Sequence, residues 1–309
     1  MKSKLRIGTR QSKLALWQTE HVKTELKKHY PELEIEVIHI NTKGDKILDV
    51  ALSKIGDKGL FTKELENALL SGEVDLAVHS LKDLETNMPV GLQLAAVTNR
   101  HEVNDVIIAR EKGVTIDSLR ENAVVATGSL RRRSQLLNLR NDISTVELRG
   151  NVPTRIQKYL DSDWDAIILA RAGVERLGLQ EHISSIIPID MMLPAVGQGA
   201  LGLQIREGDT ETREVISVLH NPDIFAAVSC ERAFLRELQG GCQVPIAAHA
   251  VVKPNGIWLK AYIGSVDGTE AMRGYVRGSK YHAEELGTGL AQDMFNDGGK
   301  EIIALIDRI

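Results

Sequence analysis

Cysteine is nearly absent from this sequence, which has two in 309 residues. Two thiols do not make a disulfide framework, and the segment around Cys230, IFAAVSCERAFLREL, has the pattern of an amphipathic helix with its cysteine in the core. Nothing in the sequence supports a bridge between Cys230 and Cys242. The N-terminal MKSKLRIGTRQSKLALWQ lacks a signal-peptide pattern, so we expect a cytoplasmic protein with free thiols.

Long apolar runs and an excess of positive charge are also missing. No run is long enough to cross a bilayer, and the net charge is −4 with an isoelectric point of about 6.2. No spacing of His, Cys, Asp or Glu indicates a metal site, and no glycine-rich loop ends in the Gly-Lys-Ser/Thr of a P-loop. We therefore expect no membrane, nucleic acid or metal as a partner.

Strand-like and helix-like segments alternate over the first two-thirds of the chain, as in KLRIGTR followed by SKLALWQTEHVKTELKKHY. This alternation predicts α/β layers with largely parallel sheets, and two such series predict two α/β domains with a cleft between them. The glycine-rich LPAVGQGALGLQIR is expected to return the chain to the first domain. A helix, three strands and a last helix then predict a small α+β domain. The expected domains are 1–98 with 199–218, 99–198, and 221–309, which carries Cys242.

Positive charge is concentrated where predicted strands meet predicted helices. A helix N-terminus offers free backbone N–H groups and the positive end of the helix dipole, which together favour an anion. A solvated basic face explains any one of these segments, but three of them indicate a ligand with several carboxylates or phosphates. The segments are TGSLRRRSQ, ELRGNVPTRIQ and RIGTRQS, with Ser129, Arg131, Arg132, Arg149, Arg155, Arg10 and Ser12.

Two further segments carry charged side chains next to predicted elements. LSKIGDKGLFTKEL has Lys54 and Lys58 before a helix, which suits a mobile binding loop or a solvated lysine loop. AVHSLKDLETNMP places Lys82 and Asp83 after a buried strand. Asp83 is either a turn residue or a carboxylate that stabilises a cationic intermediate and moves protons. His79 is interpreted as a satisfied strand histidine.

Cys242 follows two glycines in RELQGGCQVPIAAHA. The residues alone leave four roles open for this thiol: inert filler, nucleophile, disulfide partner or covalent attachment point. His249 lies a few residues along a predicted strand, which leaves a Cys–His nucleophilic pair open. Taken from the residues alone, the sequence indicates a cleft enzyme or a binder for a polyanion.

Together these segments resemble the porphobilinogen deaminase family, also called hydroxymethylbilane synthase. The matching stretches occur in family order from residue 5 to about residue 265, and the C-terminal remainder fits more loosely. Several are long and unusual, which makes the resemblance specific. They are RIGTRQSKLALWQ, KGDKILD, KGLFTKELE, DLAVHSLKD, TGSLRRRSQL, LRGNVPTR, DAIILARAGVERLG, LPAVGQGALG and GGCQVPIAAHA.

The resemblance implies two periplasmic-binding-protein-like α/β domains flanking a cleft, plus the small α+β C-terminal domain. It implies a transferase of tetrapyrrole biosynthesis that joins four porphobilinogen molecules head to tail onto a dipyrromethane primer and releases ammonia each time. Hydroxymethylbilane is then released by hydrolysis, and the primer stays attached to Cys242 through a thioether. The family expectation is a monomer that hands its product to the next enzyme of the pathway.

The resemblance also assigns roles residue by residue. Asp83 matches the catalytic aspartate, and Lys54 and Lys58 match a mobile loop over the active site. Each pyrrole ring bears an acetate and a propionate, so the growing chain is a polyanion that suits arginine. The matched cofactor-binding positions are Cys242, Lys82, Asp83, Ser129, Arg131, Arg132 and Arg149, and the matched substrate-binding positions are Arg10, Ser12, Arg149, Arg155 and Arg176.

Several positions depart from the family pattern. Leu84 and Glu85 stand where valine and proline are usual, Gly128 replaces a serine, and Lys43 replaces an arginine. The run RHEVNDV also replaces a commoner glutamate-aspartate-proline-arginine-aspartate run. These differences bear on loop stiffness and substrate affinity, while the principal aspartate and cysteine are kept.

Two other classes of protein stand as alternatives. A non-catalytic anion-binding receptor also has two α/β domains around a cleft, but it needs no Gly-Gly-Cys turn and carries no covalent adduct on Cys242. A thiol-dependent acyl or peptide transferase would use Cys242 as its nucleophile. Iodoacetamide would inhibit such a transferase at neutral pH, whereas an anchor thiol that is already alkylated resists it.

The variant Asp83→Asn is expected to lose most of its turnover of porphobilinogen while keeping its fold. The reason is that an amide cannot supply the negative charge that a cationic intermediate needs. Product formation and the circular dichroism spectrum measure the two effects. Normal turnover in this variant would remove the role assigned to Asp83.

Overall fold

The computed structural model describes residues 2–42, 44, 59–239 and 244–305. The chain divides into two compact units. It passes from the first unit to the second after His101, returns at Gly199, and leaves the first unit again after Phe225. The second unit contains two separate sheets, so three sheets in all are present in the described ranges.

The strands and helices alternate along most of the chain, as the sequence predicts. The strands are β1 (Lys4–Thr9), β2 (Glu34–His39), β3 (Leu76–Ser80), β4 (Leu92–Val97), β5 (Asp105–Ala109), β6 (Val124–Ala126), β7 (Ser144–Val146), β8 (Ala166–Ala170), β9 (Ile183–Ile186), β10 (Leu201–Arg206), β11 (Ile246–Lys253), β12 (Gly256–Gly264) and β13 (Ala271–Gly278). The helices are α1 (Lys13–His29), α2 (Lys63–Leu70), α3 (Leu130–Leu139), α4 (Val152–Leu160), α5 (Arg171–Arg176), α6 (Thr210–Ser217), α7 (Pro222–Glu237), α8 (Ala283–Met294) and α9 (Lys300–Ala304).

The first unit is a five-stranded sheet, in the order β2-β1-β3-β10-β4, with helices on both faces. β1 pairs in parallel with β2 and β3, whereas β10 runs antiparallel to β3 and β4. One face of the sheet buries Leu5 and Ile7 against α1. The other face buries Ala77 against Leu65 and Leu69 of α2. Strand β3 lies inside the sheet, and its first three residues, 76–78, are apolar and buried.

The second unit contains a five-stranded sheet in the order β7-β6-β8-β5-β9. β6 pairs in parallel with β7 and β8, and β5 runs antiparallel to β8 and β9. Leu136 of α3 packs on one face, while Ile156 and Tyr159 of α4 pack on the other. Each face of the sheet thus has its own buried apolar cluster, which is the layer arrangement of an α/β domain.

The second unit also contains a three-stranded antiparallel sheet, β11-β12-β13. One face of this sheet packs on α7 and α8 around Cys230, Phe234 and Leu290, which are all buried. Tyr262, on the other face, is fully buried, and its hydroxyl lies 2.8 Å from the hydroxyl of Ser134 on α3. This hydrogen bond and the packing of Leu193 on Tyr262 connect the small sheet to the preceding α/β layers.

Helix starts follow from capping residues in the sequence. Ser12, Ser129, Asn151 and Asp209 each occupy an N-cap, where the side chain accepts a hydrogen bond from a backbone N–H in the first turn. Gly72 follows α2 with a φ of 76°, a left-handed conformation that ends a helix and favours glycine.

The predicted fold class is confirmed. Two five-stranded α/β sheets are accompanied by a small antiparallel sheet that packs on helices α7 and α8. LPAVGQGALGLQIR contains β10, which pairs with β3 and β4 of the first sheet. The expectation of largely parallel sheets holds for four of the five strands in each five-stranded sheet, which run in one direction, whereas β10 in the first sheet and β5 in the second run antiparallel to both neighbours. In each sheet the antiparallel strand follows directly after the chain has crossed from the other unit, and sequence periodicity carries no signal for such a crossing. The exact domain boundaries stay a prediction.

None of the helices within the described ranges is both long enough and apolar enough to span a membrane.

Helix α8 offers a matched pair of glycines that tests its packing on α7. A Cβ on Gly287 would overlap the carbonyl oxygen of Cys230, whereas a Cβ on Gly289 would meet nothing within 4 Å. We expect Gly287→Ala to lower the free energy of unfolding by about 1–3 kcal/mol, because α8 must move away from α7. Gly289→Ala is expected to raise it by up to about 1 kcal/mol, since alanine favours the helix. Urea denaturation measures both, and equal effects would contradict this close packing.

Candidate active site

The sequence-predicted residues lie at the carboxyl ends of parallel strands in both units. In the first unit, Arg10 and Ser12 follow β1, and Lys82 and Asp83 follow the neighbouring β3. In the second unit, β7, β6 and β8 are adjacent and parallel, and each is followed by predicted arginines. The carboxyl ends of adjacent parallel strands meet at one edge of a sheet, which is where α/β proteins bind ligands.

The junction after β1 holds its side chains through neighbouring elements of the first unit. The guanidinium carbon of Arg10 lies 4.2 Å from the centroid of the Phe61 ring, a cation–π contact. The Ser12 hydroxyl accepts a hydrogen bond from the Ala15 N–H at 3.3 Å and so caps α1. Phe61, which no sequence motif indicates, therefore helps to orient a predicted substrate-binding arginine.

The turn after β3 is anchored by leucines and presents Asp83 to solvent. Residues Leu81–Asp83 form a short 3-10 turn, in which Leu81 is buried and donates its N–H to the Ala200 carbonyl. Leu84, a departure from the family pattern, is also buried. Asp83 is exposed, and its carboxylate makes no ion pair within the described ranges. The carboxylate is thus held on a fixed turn and is accessible to a ligand.

A buried ion cluster dominates the second unit's junction after β6. Arg131 and Arg132, each 5% exposed, donate from their Nη2 atoms to the two oxygens of Asp105, each at 2.8 Å. Their Nη1 atoms donate to the carbonyls of Leu193 and Ile168. Asp105 itself is fully buried. Sequence reasoning expected these arginines but missed Asp105, which is one polar residue at the head of an apolar strand.

The charge states of this cluster follow from burial and from the mutual pairing of its members. Burial alone would raise the pKa of the Asp105 carboxyl, but the two guanidiniums outweigh it and hold that pKa below its usual range. Burial also lowers the pKa of Arg131, and Asp105 offsets part of that effect. Removing one partner from such a buried pair typically destabilises a protein by about 3–5 kcal/mol.

The junctions after β6 and β7 approach each other closely at two glycines. A Cβ on Gly128 would lie 2.6 Å from the carbonyl oxygen of Leu148, so the glycine that replaces the family's serine suits this backbone. Gly150 has a φ of 117°, which strains any other residue. Arg155 donates from Nε to the Gly150 carbonyl at 2.7 Å. These contacts bring Arg149 and Arg155 to the same sheet edge as Ser129.

Burial also lowers the pKa values of the remaining predicted arginines that show a shift. The pKa of Arg176, on α5 after β8, falls to about 10 because its guanidinium is buried. Burial lowers the pKa of Arg149, and the negative charge of Glu147 offsets part of that effect. A pKa of about 10 leaves Arg176 charged at neutral pH. Partly buried arginines that stay charged are suited to binding carboxylates.

Of the two cysteines, only Cys230 lies within the residues that the structure describes. Cys230 is fully buried in α7, as the sequence predicts, and burial together with Glu231 raises the pKa of its thiol to about 12. Cys242, Lys54 and Lys58 lie outside the described residues, as does Lys43. No grouping of His, Cys, Asp and Glu suited to a metal ion occurs in the part of the chain that the structure describes.

Family models match this chain over nearly its whole length. Residues 5–214 match the porphobilinogen deaminase dipyromethane cofactor binding domain, and residues 225–296 match the porphobilinogen deaminase C-terminal domain. The chain belongs to the porphobilinogen deaminase family. Relatives in that family include the porphobilinogen deaminase of Chlorobium phaeobacteroides, 49% identical over 99% of both chains, and that of Geobacter sulfurreducens, 49% identical over 98% of this chain and 94% of the relative.

Two solved structures that are similar to part of this chain share little sequence with it. The methionine-binding protein MetQ is 13% identical, with a TM-score of 0.45 over 70% of this chain and 89% of that protein. A sulfate-bound regulatory domain of OxyR2 from Vibrio vulnificus is 16% identical, with a TM-score of 0.41 over 71% of this chain and 96% of that domain.

The family resemblance implies that the dipyrromethane cofactor bears acetate and propionate groups, and the arginines of the second unit fit such a group. Arg131, Arg132, Arg149 and Arg155 place four guanidiniums at one sheet edge, and the Nη atoms of Arg131 and Arg132 already donate to Asp105 and to backbone carbonyls. The Nε of Arg132 is buried without a hydrogen-bond partner in the described ranges, which leaves one donor for a ligand oxygen. The residues present therefore suit a dipyrrole bearing acetate and propionate groups.

A substitution at Gly128 tests the close approach of the two junctions. In Gly128→Ala the new Cβ would press on the Leu148 carbonyl, so we expect the free energy of unfolding to fall by about 1–3 kcal/mol. Gly289→Ala, placed on the open face of α8, is the control and is expected to change stability in the opposite direction. Urea denaturation measures both, and an unchanged Gly128→Ala variant would show that this junction shifts freely.

Proposed function

We propose that this chain is a porphobilinogen deaminase that assembles hydroxymethylbilane from four porphobilinogen molecules and releases ammonia at each addition. Membership of the family supports the activity, and the arginine-lined sheet edge of the second unit supports the polyanionic ligand. The observation that carries the proposal is the group of charged arginines after β6 and β7, two of which are buried. A chain of pyrroles with two carboxylates per ring matches that set of donors.

The dipyrromethane group, when bound, supplies the acceptor pyrrole for the first addition. Cys242 is its proposed attachment point, and the chemistry of the other thiol supports this choice by elimination. Attack on an electrophilic carbon requires a thiolate. Cys230 has a raised pKa and no exposed surface, so Cys242 is the cysteine left for a thioether.

Asp83 is proposed as the group that handles positive charge and protons. Loss of ammonia from porphobilinogen leaves a cationic intermediate, and a fixed carboxylate stabilises such a cation electrostatically. Its exposed position on an anchored turn supports access by a substrate. Lys82, beside it, is proposed to bind a substrate or cofactor carboxylate.

The remaining arginines are proposed as carboxylate contacts along the growing chain. Arg10 and Ser12 at the β1 junction, and Arg149, Arg155 and Arg176 in the second unit, would bind substrate. Ser129, Arg131 and Arg132, with Arg149, would bind the cofactor. Lys54 and Lys58 are proposed to act in a loop over the site. We also propose a cytoplasmic monomer that passes its product to the next enzyme of tetrapyrrole synthesis.

The intact mass of the denatured protein tests this proposal. The parent chain is expected to exceed the mass of its polypeptide by one dipyrrole, if needed after incubation with porphobilinogen. Cys242→Ala is expected to have the mass of the bare chain, because no thiolate remains to form the thioether. Cys230→Ala is the matched control and is expected to carry the dipyrrole like the parent.

Two outcomes would contradict the proposal. A parent chain that stays bare after incubation with porphobilinogen would remove the enzyme assignment and favour a non-catalytic anion binder. An adduct that persists in Cys242→Ala but disappears in Cys230→Ala would move the attachment to Cys230.

A further inference from the structure

Asp105 has no role in the function proposed so far, yet it lies at the centre of the second unit's arginine cluster. It is the first residue of β5 and is fully buried. Its two oxygens accept three side-chain hydrogen bonds: from Arg131 at 2.8 Å, from Arg132 at 2.8 Å, and from Gln198 at 3.0 Å. One carboxylate therefore fixes two of the arginines that are proposed to bind the cofactor.

The geometry restricts both guanidinium groups to one orientation. Each arginine uses one Nη atom on Asp105 and the other on a backbone carbonyl, Leu193 for Arg131 and Ile168 for Arg132. A planar guanidinium that is held at both ends of its fork cannot rotate without breaking two hydrogen bonds. The positions of both charges are thus set before any ligand arrives.

The cluster also carries an unbalanced charge. Two guanidiniums face one carboxylate, so the buried group as a whole has one excess positive charge. The Nε of Arg132 is buried and lacks a hydrogen-bond partner among the described residues, although Arg132 is only 5% exposed. An uncompensated buried cation and an unused buried donor are unfavourable unless an anion completes the group.

We propose that Asp105 is a positioning residue that holds Arg131 and Arg132 as one preorganised receptor for a carboxylate of the dipyrromethane group. This inference rests on the proposed function, because the function names the ligand. Asp105 neutralises one of the two charges and orients both forks, and the remaining charge and donor are left for the ligand. Preorganisation of this kind improves binding, since the arginines lose little freedom when the ligand arrives.

Gln198 supports the same arrangement from another part of the chain. Its Nε2 donates to Asp105 and, at 2.7 Å, to the carbonyl of Val103. Gln198 precedes Gly199, where the chain passes into the first unit, and Val103 follows the crossing after His101. The carboxylate that positions the arginines is therefore held by both connecting segments.

The test compares Asp105→Asn with a matched control, Asp165→Asn. Asp165 also forms a two-point pair with an arginine, Arg120, at 2.7 and 2.8 Å, but that pair lies at the surface. Both variants lose one carboxylate of an arginine pair in the same sheet domain. Only Asp105→Asn is expected to weaken the carboxylate receptor.

Two measurements are made on each protein. The first is the rate at which cofactor-free chain gains the dipyrrole mass during incubation with porphobilinogen. The second is the rise in Tm of the loaded chain over the same chain carrying Cys242→Ala, which cannot be loaded. We expect Asp105→Asn to load at least tenfold more slowly and to show half or less of the parent's rise in Tm. Asp165→Asn is expected to match the parent in both.

The rise in Tm separates positioning from a merely structural role. A structural residue would lower the Tm of the loaded and unloaded chains equally and leave the rise unchanged, because a ligand stabilises only through its binding to the folded state. If Asp105→Asn does not fold, Asp105→Glu keeps the charge and displaces it, and it is expected to show the same loss of loading rate and of Tm rise to a smaller degree.

The outcomes distinguish this inference from the proposed function. A parent that loads, beside Asp105 variants that load and gain Tm as the control does, would overturn the positioning role alone. A parent that never gains a dipyrrole would remove the proposed function, and the positioning role with it.

Discussion

A carboxylate buried between two guanidiniums is stable only while all three side chains keep their places, because each charge has lost its water and depends on the others. Asp105, Arg131 and Arg132 form such a group in the second unit. It connects the first residue of β5 to the start of α3 and, through backbone carbonyls, to β8 and Leu193. Four parts of the chain therefore meet at one charged centre, and the proposed cofactor site depends on it.

The sheets supply the second condition for a site. Adjacent parallel strands end at a common edge, and the turns that follow them carry the polar side chains. Small residues allow those turns to pack closely, as at Gly128, where a Cβ would press on the Leu148 carbonyl. Buried leucines anchor the turn that carries Asp83. The polar residues are thus held by apolar packing beneath them, which lets charged groups keep their orientation.

Much of the candidate site could be predicted from sequence, and the limits have physical causes. Arg131 and Arg132 stand out because strand-to-helix junctions rich in arginine are unusual. Asp105 could not be predicted, since its partners are 26 and 27 residues away and their pairing exists only in the folded chain. The antiparallel direction of β5 and β10 was missed for the same reason, because crossings between units leave no periodic signal. The contact between Arg10 and the Phe61 ring could not be predicted either, because the two residues meet only in the folded chain.

Sequence by itself determined the strands, the capped helices, the fold class and, through long unusual motifs, the family. Those features depend on local periodicity, on single capping residues such as Ser12, and on contiguous residues. Tertiary structure alone decided which charges are compensated and which stay available for a ligand. The fold buries Cys230, whose thiol is therefore hard to ionise, and it leaves Asp83 exposed to solvent. Burial and long-range pairing set these properties, and both arise only when distant segments are packed together.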